Sequence, residues 1–342
     1  MAQMRKRIWL PAALLAALAA MPSLFGWYAW RTLHAPMSIP AQGAWLEVPR
    51  GMPLSAVSID LADRGLLAHP RLLTLYGRAT GDATRVRAGE YQLEAGTTPA
   101  SLMTKLVSGE VYLHQLTVVE GWRFSEFLAA LRAHPAIAAG TLTGSEIMAE
   151  LGEPGVHPEG QFFPETYRFP RETPEIEVLR AAHRALQERL DSVWQNRRVE
   201  MQLHTPYEAL ILASIIEKET ALPSERRLIA GVFHQRLERG MRLQTDPTVI
   251  YGIGEAFDGN LRERDLTADT PYNTYTRSGL PPTPIALPGA GSLEAAVDPE
   301  ITGALYFVAT GRPDGSHYFS ATLEEHDRAV RDYLRQLRNP VQ

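Results

Sequence analysis

The sequence predicts an α+β protein with an N-terminal transmembrane helix, a small βα module and a larger α+β domain. An uncharged run opens the chain, a strand–glycine–helix pattern then occurs three times, and several well-capped helices follow. A chain of 342 residues is long enough for about two domains. With 45% hydrophobic and 21% charged residues, its composition excludes a wholly disordered or fibrous protein.

Residue counts exclude several classes of function. The net charge of −5 gives no electrostatic basis for binding nucleic acid. Because the chain has no cysteine, it has no disulfides, thiolate zinc sites, iron–sulfur clusters or cysteine nucleophiles. Its histidines form no HExxH motif, and the GxSxG, Walker and GxGxxG motifs are absent. We therefore expect no metal, no cofactor and no nucleic-acid partner.

The N-terminus predicts a membrane anchor over residues 8–30, which have no charge. A helix of this length reaches about 34 Å, enough to cross a hydrocarbon core of about 30 Å. Residues 1–7 contain a basic cluster, so we expect them to form a cytoplasmic stub at the inner membrane, with the remaining chain in the periplasm. A cleaved signal peptide ending near Ala19 is the alternative, and both interpretations export the chain.

After a linker at residues 31–42, an extended apolar segment, a glycine turn and an amphipathic helix recur in order. The turn glycines are Gly51, Gly96 and Gly121. From spacing alone, the pattern fits three ordinary β–turn–α units or a carbohydrate-binding module of LysM type. We predict a small module over residues 43–114 and a larger α+β domain over residues 115–342.

The C-terminal part is predicted to be mostly helical, with one hairpin. Helices are expected at residues 174–199 with Thr173 as N-cap, 205–220 with a Thr205–Glu208 capping box, 223–240 and 322–337. Strands are expected at residues 305–308 and 317–319. Residues 241–291 are rich in Gly, Pro, Thr and Tyr, and we expect loops with short strands there.

Two glutamates, Glu217 and Glu219, lie near the end of the 205–220 helix. At about 100° per residue they point about 200° apart, so they cannot act as a pair. The larger apolar neighbours, Ile215 and Ile216, lie one turn below Glu219. Apolar surroundings keep a carboxyl protonated, as a general acid for a glycosidic oxygen requires. The alternative is that both glutamates are solvated at the helix end.

Two polar loops follow this helix in the chain. Residues 242–248 include Gln244 and Thr245, and residues 269–275 include Asn273 and Tyr275. Tyrosine rings and amide groups suit the recognition of sugars. Ordinary turn chemistry is the alternative explanation, because Asn, Asp, Pro and Thr are common in turns.

Taken together, these segments resemble the MltG-type (YceG-like) endolytic transglycosylases of bacterial cell-wall metabolism. The resemblance extends over nearly the whole chain, and its matching segments are residues 159–167, 212–220, 240–252, 272–275 and 279–282. It implies that residues 43–114 form a LysM-like module and that residues 115–342 form an α+β catalytic (YceG-like) domain. Gln161 and Glu165 depart from the aromatic residue and aspartate that are common in the family.

The resemblance implies cleavage of peptidoglycan glycan strands between N-acetylmuramic acid and N-acetylglucosamine, with a 1,6-anhydro-muramyl product. It implies that Glu219 first donates a proton to the leaving oxygen and then deprotonates the muramyl 6-hydroxyl. The candidate substrate-binding residues are Gln244, Thr245, Asn273 and Tyr275. The implied cellular role is termination of glycan elongation at the inner membrane, beside peptidoglycan synthases.

Two other functions stay open at this point. The chain can be a non-catalytic peptidoglycan-binding scaffold of the synthesis machinery, which the anchor and the LysM-like module motivate. It can also be a muramidase that hydrolyses the same bond with a water held by Asp246, and the product would then be heavier by one water molecule.

Overall fold

The structure is a computed structural model that describes residues 21–198 and 202–338, and it shows a mixed α+β protein, as predicted. The chain forms two compact units. The first ends at His114 and also includes Phe169–Arg171. The second comprises Gln115–Arg168 and the chain from Glu172 onward.

The described chain begins in a helix, α1, at residues 21–34. This helix exposes several large apolar side chains, namely Met21, Leu24, Phe25, Trp27, Tyr28 and Trp30. The predicted span at residues 8–30 lies partly outside the described residues. Among the helices that are described, none has the length and apolarity needed to cross a membrane.

A two-stranded antiparallel sheet forms the base of the first unit, with β1 (Ala44–Val48) paired to β2 (Gly89–Leu93). Its helices are α2 (Leu54–Asp63), α3 (Pro70–Thr80) and α4 (Pro99–Ser108). Alternate strand residues point inward, so Leu46, Tyr91 and Leu93 are fully buried. Helix α4 begins after an N-cap at Thr98, whose hydroxyl accepts a hydrogen bond from the Ser101 N–H at 3.1 Å.

The remaining strands occur in three pairs: β3 (His114–Thr117) with β5 (Thr166–Phe169), β4 (Ile137–Ala138) with β6 (Thr173–Pro174), and β7 (Tyr306–Ala309) with β8 (His317–Ser320). The helices that follow α4 are α5 (Phe124–Ala133), α6 (Gly144–Glu150), α7 (Glu175–Gln195), α8 (Pro206–Glu219), α9 (Arg226–Glu238), α10 (Asp246–Ile253), α11 (Glu263–Thr267), α12 (Ala290–Val297) and α13 (Leu323–Arg338). The antiparallel β7–β8 hairpin lies at the predicted position.

Helix α8 is the centre of the core of the second unit. Every residue from Ala209 to Ile216 is buried, because α7, α9, α10 and α12 pack around this helix. The predicted capping box is confirmed, with the Glu208 N–H donating to the Thr205 hydroxyl at 3.1 Å. The helix ends at Glu219, which therefore lies at the tip of a largely buried helix.

Residues 241–291 are mostly loops, as predicted, but they contain helices where short strands were expected. They contain α10 and α11, and no strand occurs in this described stretch. Helix α10 begins at Asp246–Pro247 because proline fits the first turn of a helix, where its missing N–H is not needed. The prediction of Thr173 as an N-cap is also wrong, since Thr173 pairs with Ile137 in β6 and Pro174 takes the cap position.

Candidate active site

Glu219 lies in the wall of a cavity of about 480 Å³ in the second unit. The wall combines the end of α8 with residues from α9, the loop that leads into α10, the β7–β8 hairpin and the start of α13. These segments are distant in sequence, so only the fold brings them together. The polar groups that line the cavity include Glu219, Gln244, Asp246, Tyr275, His317 and His326.

The Glu219 carboxyl is poised between its two protonation states. Its pKa is raised to about 7, mainly because burial disfavours the charged form and also because the Asp246 carboxylate lies nearby. The Thr245 hydroxyl donates a short hydrogen bond to Glu219 Oε1, which favours the ionised form, and the Arg236 guanidinium acts in the same direction. Glu219 can therefore both donate and accept a proton near neutral pH.

A cluster of three buried threonines, Thr245, Thr248 and Thr274, positions the hydroxyl that contacts Glu219. The Thr245 N–H donates to the Thr274 hydroxyl at 3.1 Å, and the Thr248 hydroxyl donates to the Thr245 carbonyl at 2.8 Å. The preceding residue, Gln244, has a left-handed backbone with φ of 51°. A non-glycine residue in this region is strained by about 1 kcal/mol or more, and such strain is often found at functional sites.

Arg236 joins three parts of the cavity wall. Its side chain is buried, its Nε donates to the Leu305 carbonyl at 2.7 Å, and its Nη1 donates to the Leu243 carbonyl at 2.6 Å. The guanidinium carbon also lies 5.1 Å from the centre of the Tyr306 ring. The arginine therefore connects α9 to β7 and to the loop that precedes α10.

The predicted substrate-binding residues have different positions. Gln244 and Tyr275 line the cavity, and the Tyr275 hydroxyl donates to Asp246 Oδ1 at 2.5 Å. Thr245 contacts Glu219 from within the threonine cluster. Asn273 is fully buried and is not brought to the cavity wall.

The Asn273 side chain instead shapes the loop before Tyr275. Its amide nitrogen donates to the carbonyls of Asp265, Leu266 and Ala268, and its oxygen accepts from the Tyr275 N–H at 2.8 Å. Every hydrogen-bonding group of this amide is used within the loop, so the residue positions Tyr275 and is not itself available to a ligand.

Glu217 points away from Glu219, as the helical spacing predicts. Its side chain is only 6% exposed, and its oxygens accept hydrogen bonds from the Gly289 N–H at 2.9 Å and from Arg226 at 3.4 Å. The alternative that both glutamates are solvated is therefore wrong. Glu217 connects the end of α8 to α9 and to the start of α12, which is a structural role.

Sequence analysis missed several residues of the cavity wall, among them an arginine and two histidines. Arg236, His317 and His326 showed no recognisable motif, because each is isolated in the sequence. His326 lies against Tyr306 with ring centres 5.2 Å apart, and burial lowers its pKa, so its ring is neutral at neutral pH. Across residues 21–198 and 202–338, no group of His, Asp and Glu side chains is arranged to hold a metal ion.

Replacing Glu219 with glutamine should stabilise the folded protein at alkaline pH. The folded-state pKa of about 7 exceeds the ordinary value of 4.5, so the free energy of unfolding falls as pH rises between these values. Glutamine cannot ionise, and its oxygen can keep the bond from Thr245. Relative to the wild type, we expect Glu219→Gln to gain at most about 3 kcal/mol between about pH 4 and about pH 8, measured by denaturant unfolding.

Glu217→Gln provides the matched control in the same helix. It removes the charge that faces Arg226, so we expect it to lower stability instead of raising it at about pH 8. A stability difference between the wild type and Glu219→Gln that does not change with pH would contradict a raised pKa at Glu219.

Comparisons with known proteins place the chain in a family. The profile of the YceG-like family matches residues 46–332. An endolytic murein transglycosylase of Bacillus subtilis is 31% identical over 315 residues, covering 84% of each chain. One from Streptococcus pneumoniae serotype 2 is 26% identical, covering 84% of this chain and 58% of its own length. A solved yceG-like protein of Listeria monocytogenes has 29% identity and a TM-score of 0.54, covering 84% of this chain and 99% of its own. The chain therefore belongs to the YceG-like family.

Proposed function

We propose that this protein is an endolytic murein transglycosylase and that Glu219 is its catalytic acid and base. The observation that supports this most directly is a carboxyl with a pKa of about 7 in the wall of a cavity of about 480 Å³. The names of the relatives in Bacillus and Streptococcus support the same activity. The proposed substrate is the glycan strand of peptidoglycan.

The proposed reaction is non-hydrolytic and needs one carboxyl. Protonated Glu219 donates its proton to the glycosidic oxygen, and the bond between this oxygen and C1 of N-acetylmuramic acid breaks. The 6-hydroxyl oxygen of the same sugar attacks C1, and its proton passes to the Glu219 carboxylate. A 1,6-anhydro ring forms, the N-acetylglucosamine end leaves as an alcohol, and Glu219 regains its starting state.

The groups around Glu219 suit this chemistry. The Asp246 carboxylate adds negative charge to the same wall, where it can stabilise the positive charge that develops at C1. The Tyr275 hydroxyl holds Asp246 in place, and the Tyr275 ring in the cavity wall offers apolar surface to a sugar ring. Thr245 fixes the orientation of the catalytic carboxyl.

For the first unit we propose a LysM-like role in holding the glycan. An exposed aromatic pair supports this proposal: Trp45 and Tyr112 are 49% and 42% exposed, with ring centres 4.8 Å apart. Exposed aromatic rings of this kind are a typical surface for stacking against sugars. The pair lies in a unit that has its own hydrophobic core.

We also propose that the protein is anchored in the inner membrane by residues 8–30, acts on the periplasmic side beside peptidoglycan synthases and terminates the elongation of nascent strands. The basic residues before the uncharged run and the exposed aromatic residues of α1 support this placement.

The products of cleavage test the reaction. Incubation of uncrosslinked glycan strands with the wild type should yield anhydro-muramyl ends by mass spectrometry, whereas Glu219→Gln should leave the strands intact because it has no proton to donate. Glu238→Gln, an exposed position on α9, is the matched control and should cleave like the wild type. Reducing ends, heavier by one water, would instead show a muramidase, and intact strands with every variant would favour a binding scaffold.

The rate should depend on pH through Glu219. Because the protonated form starts the reaction, we expect kcat/KM to fall as pH rises through about 7. Thr245→Val removes a hydrogen bond that favours the carboxylate, so this fall should move up by about one pH unit. Thr245→Ser keeps the hydroxyl and should leave the profile unchanged. A downward shift in Thr245→Val would contradict the proposed role of this bond.

Export by the N-terminal segment is tested with an alkaline phosphatase fused after Gln342. The fusion should be active with the full chain and inactive without residues 1–30, since the phosphatase folds to its active form outside the cytoplasm. Activity in both fusions would contradict an N-terminal export signal. The mass of the mature chain then separates an intact anchor from a cleaved signal peptide.

A further inference from the structure

A buried carboxylate holds a histidine in the wall of the cavity that contains Glu219. The histidine is His317, in strand β8, and the carboxylate is that of Glu225, the residue immediately before α9. The mechanism proposed above uses neither residue. The inference drawn from this pair rests on that proposed function.

Both oxygens of Glu225 bind His317. Oε1 accepts the backbone N–H of His317 at 2.8 Å, and Oε2 lies 2.7 Å from the ring atom Nδ1. A carboxylate only accepts hydrogen bonds, so Nδ1 must carry the ring proton. The other ring nitrogen, Nε2, is then an unprotonated acceptor in the neutral ring.

The ring has little freedom to turn. Its side chain is 14% exposed, that of Glu225 is 10% exposed, and the ring meets Phe307 nearly edge to face with centres 5.6 Å apart. Within the described parts of the chain, Nε2 has no hydrogen-bond partner among the protein groups. The cavity wall thus includes an oriented hydrogen-bond acceptor that no other side chain occupies.

We propose that Nε2 of His317 accepts a hydrogen bond from the muramyl 6-hydroxyl and orients its oxygen for attack on C1. At the start of the reaction Glu219 is protonated and Thr245 binds its Oε1, so His317 offers the 6-hydroxyl an acceptor at that stage. His317 positions the hydroxyl without taking its proton. Once Glu219 has given its own proton to the leaving oxygen, the O–H of the 6-hydroxyl turns from Nε2 to the Glu219 carboxylate, which takes this proton as the C1–O6 bond forms.

Glu225→Gln tests this proposal because it should switch the His317 ring from the Nδ1–H tautomer to the Nε2–H tautomer. In this variant the side-chain oxygen of the glutamine should still accept the hydrogen bond from the backbone N–H of His317. The amide NH₂ group then faces Nδ1. Nδ1 then becomes the acceptor, and the proton moves to Nε2, which can no longer accept from a hydroxyl. We expect kcat for anhydro product to fall at least about tenfold, with KM changed less than about threefold.

The tautomer of the His317 ring is a second quantity to measure. If His317 had only a structural role, a change of tautomer would not be accompanied by a change in kcat. Nitrogen-15 NMR of the ring should show Nδ1–H in the wild type and Nε2–H in Glu225→Gln, with the signal assigned by its loss in His317→Gln. Glu294→Gln makes the same charge change at an exposed site on α12 that pairs with Arg189, and it should alter neither kcat nor the tautomer.

Several outcomes would overturn the proposal. One is an Nε2–H ring in the wild type, and another is a switched tautomer with unchanged kcat. If Glu225→Gln does not fold, His317→Gln and His317→Phe decide: glutamine keeps an acceptor near Nε2 and phenylalanine does not, so equal kcat values would reject the hydrogen bond. If the wild type makes no anhydro ends, the proposed function fails instead, and the NMR result still reports the ring orientation.

Discussion

The enclosure of helix α8 is the constraint on which the site depends. Its buried residues, from Ala209 to Ile216, place the helix at the centre of the second unit and its last residue at the base of a cavity. Removal from water raises the pKa of Glu219 from 4.5 to about 7. The same carboxyl at a solvated helix end would be almost fully ionised at neutral pH and a poor proton donor.

The surrounding contacts then decide what this carboxyl can do. Burial alone would leave it protonated and free to rotate, whereas the Thr245 hydroxyl fixes its orientation and limits the rise in pKa. Thr245 is itself held by two further hydroxyls, of Thr248 and Thr274. These buried hydrogen bonds link the conformation of the loop that leads into α10 to the orientation of the Glu219 carboxyl. Each hydroxyl in the network has a partner within the protein.

Local signals in the sequence predicted the helix that contains Glu219 and the side on which this residue lies. The capping box of Thr205 and Glu208 and the 100° spacing of helical residues act over a few positions, so they are visible without a fold. The helix at Asp246–Ile253 was missed because its first residues, Asp and Pro, occur both in turns and in the first turn of a helix.

Longer-range features were not predictable in this way. Asn273 was assigned to the cleft from its residue type. Its amide nitrogen instead donates to three backbone carbonyls, which lie close to it only in the folded loop. His317 and Arg236 join the cavity through contacts with residues on other elements, and no short motif records such contacts. The site residues whose positions depend on one helix could therefore be predicted from the sequence. Those whose positions depend on packing between elements could not.

The way Arg236 is bound has a consequence for the conditions under which the cavity keeps its shape. Its hydrogen bonds go to backbone carbonyls, not to carboxylates, and its side chain is buried. Mobile ions weaken attraction between exposed charges but have little access to an enclosed guanidinium–carbonyl contact. The connection between α9, β7 and the loop that leads into α10 is thus insensitive to ionic strength.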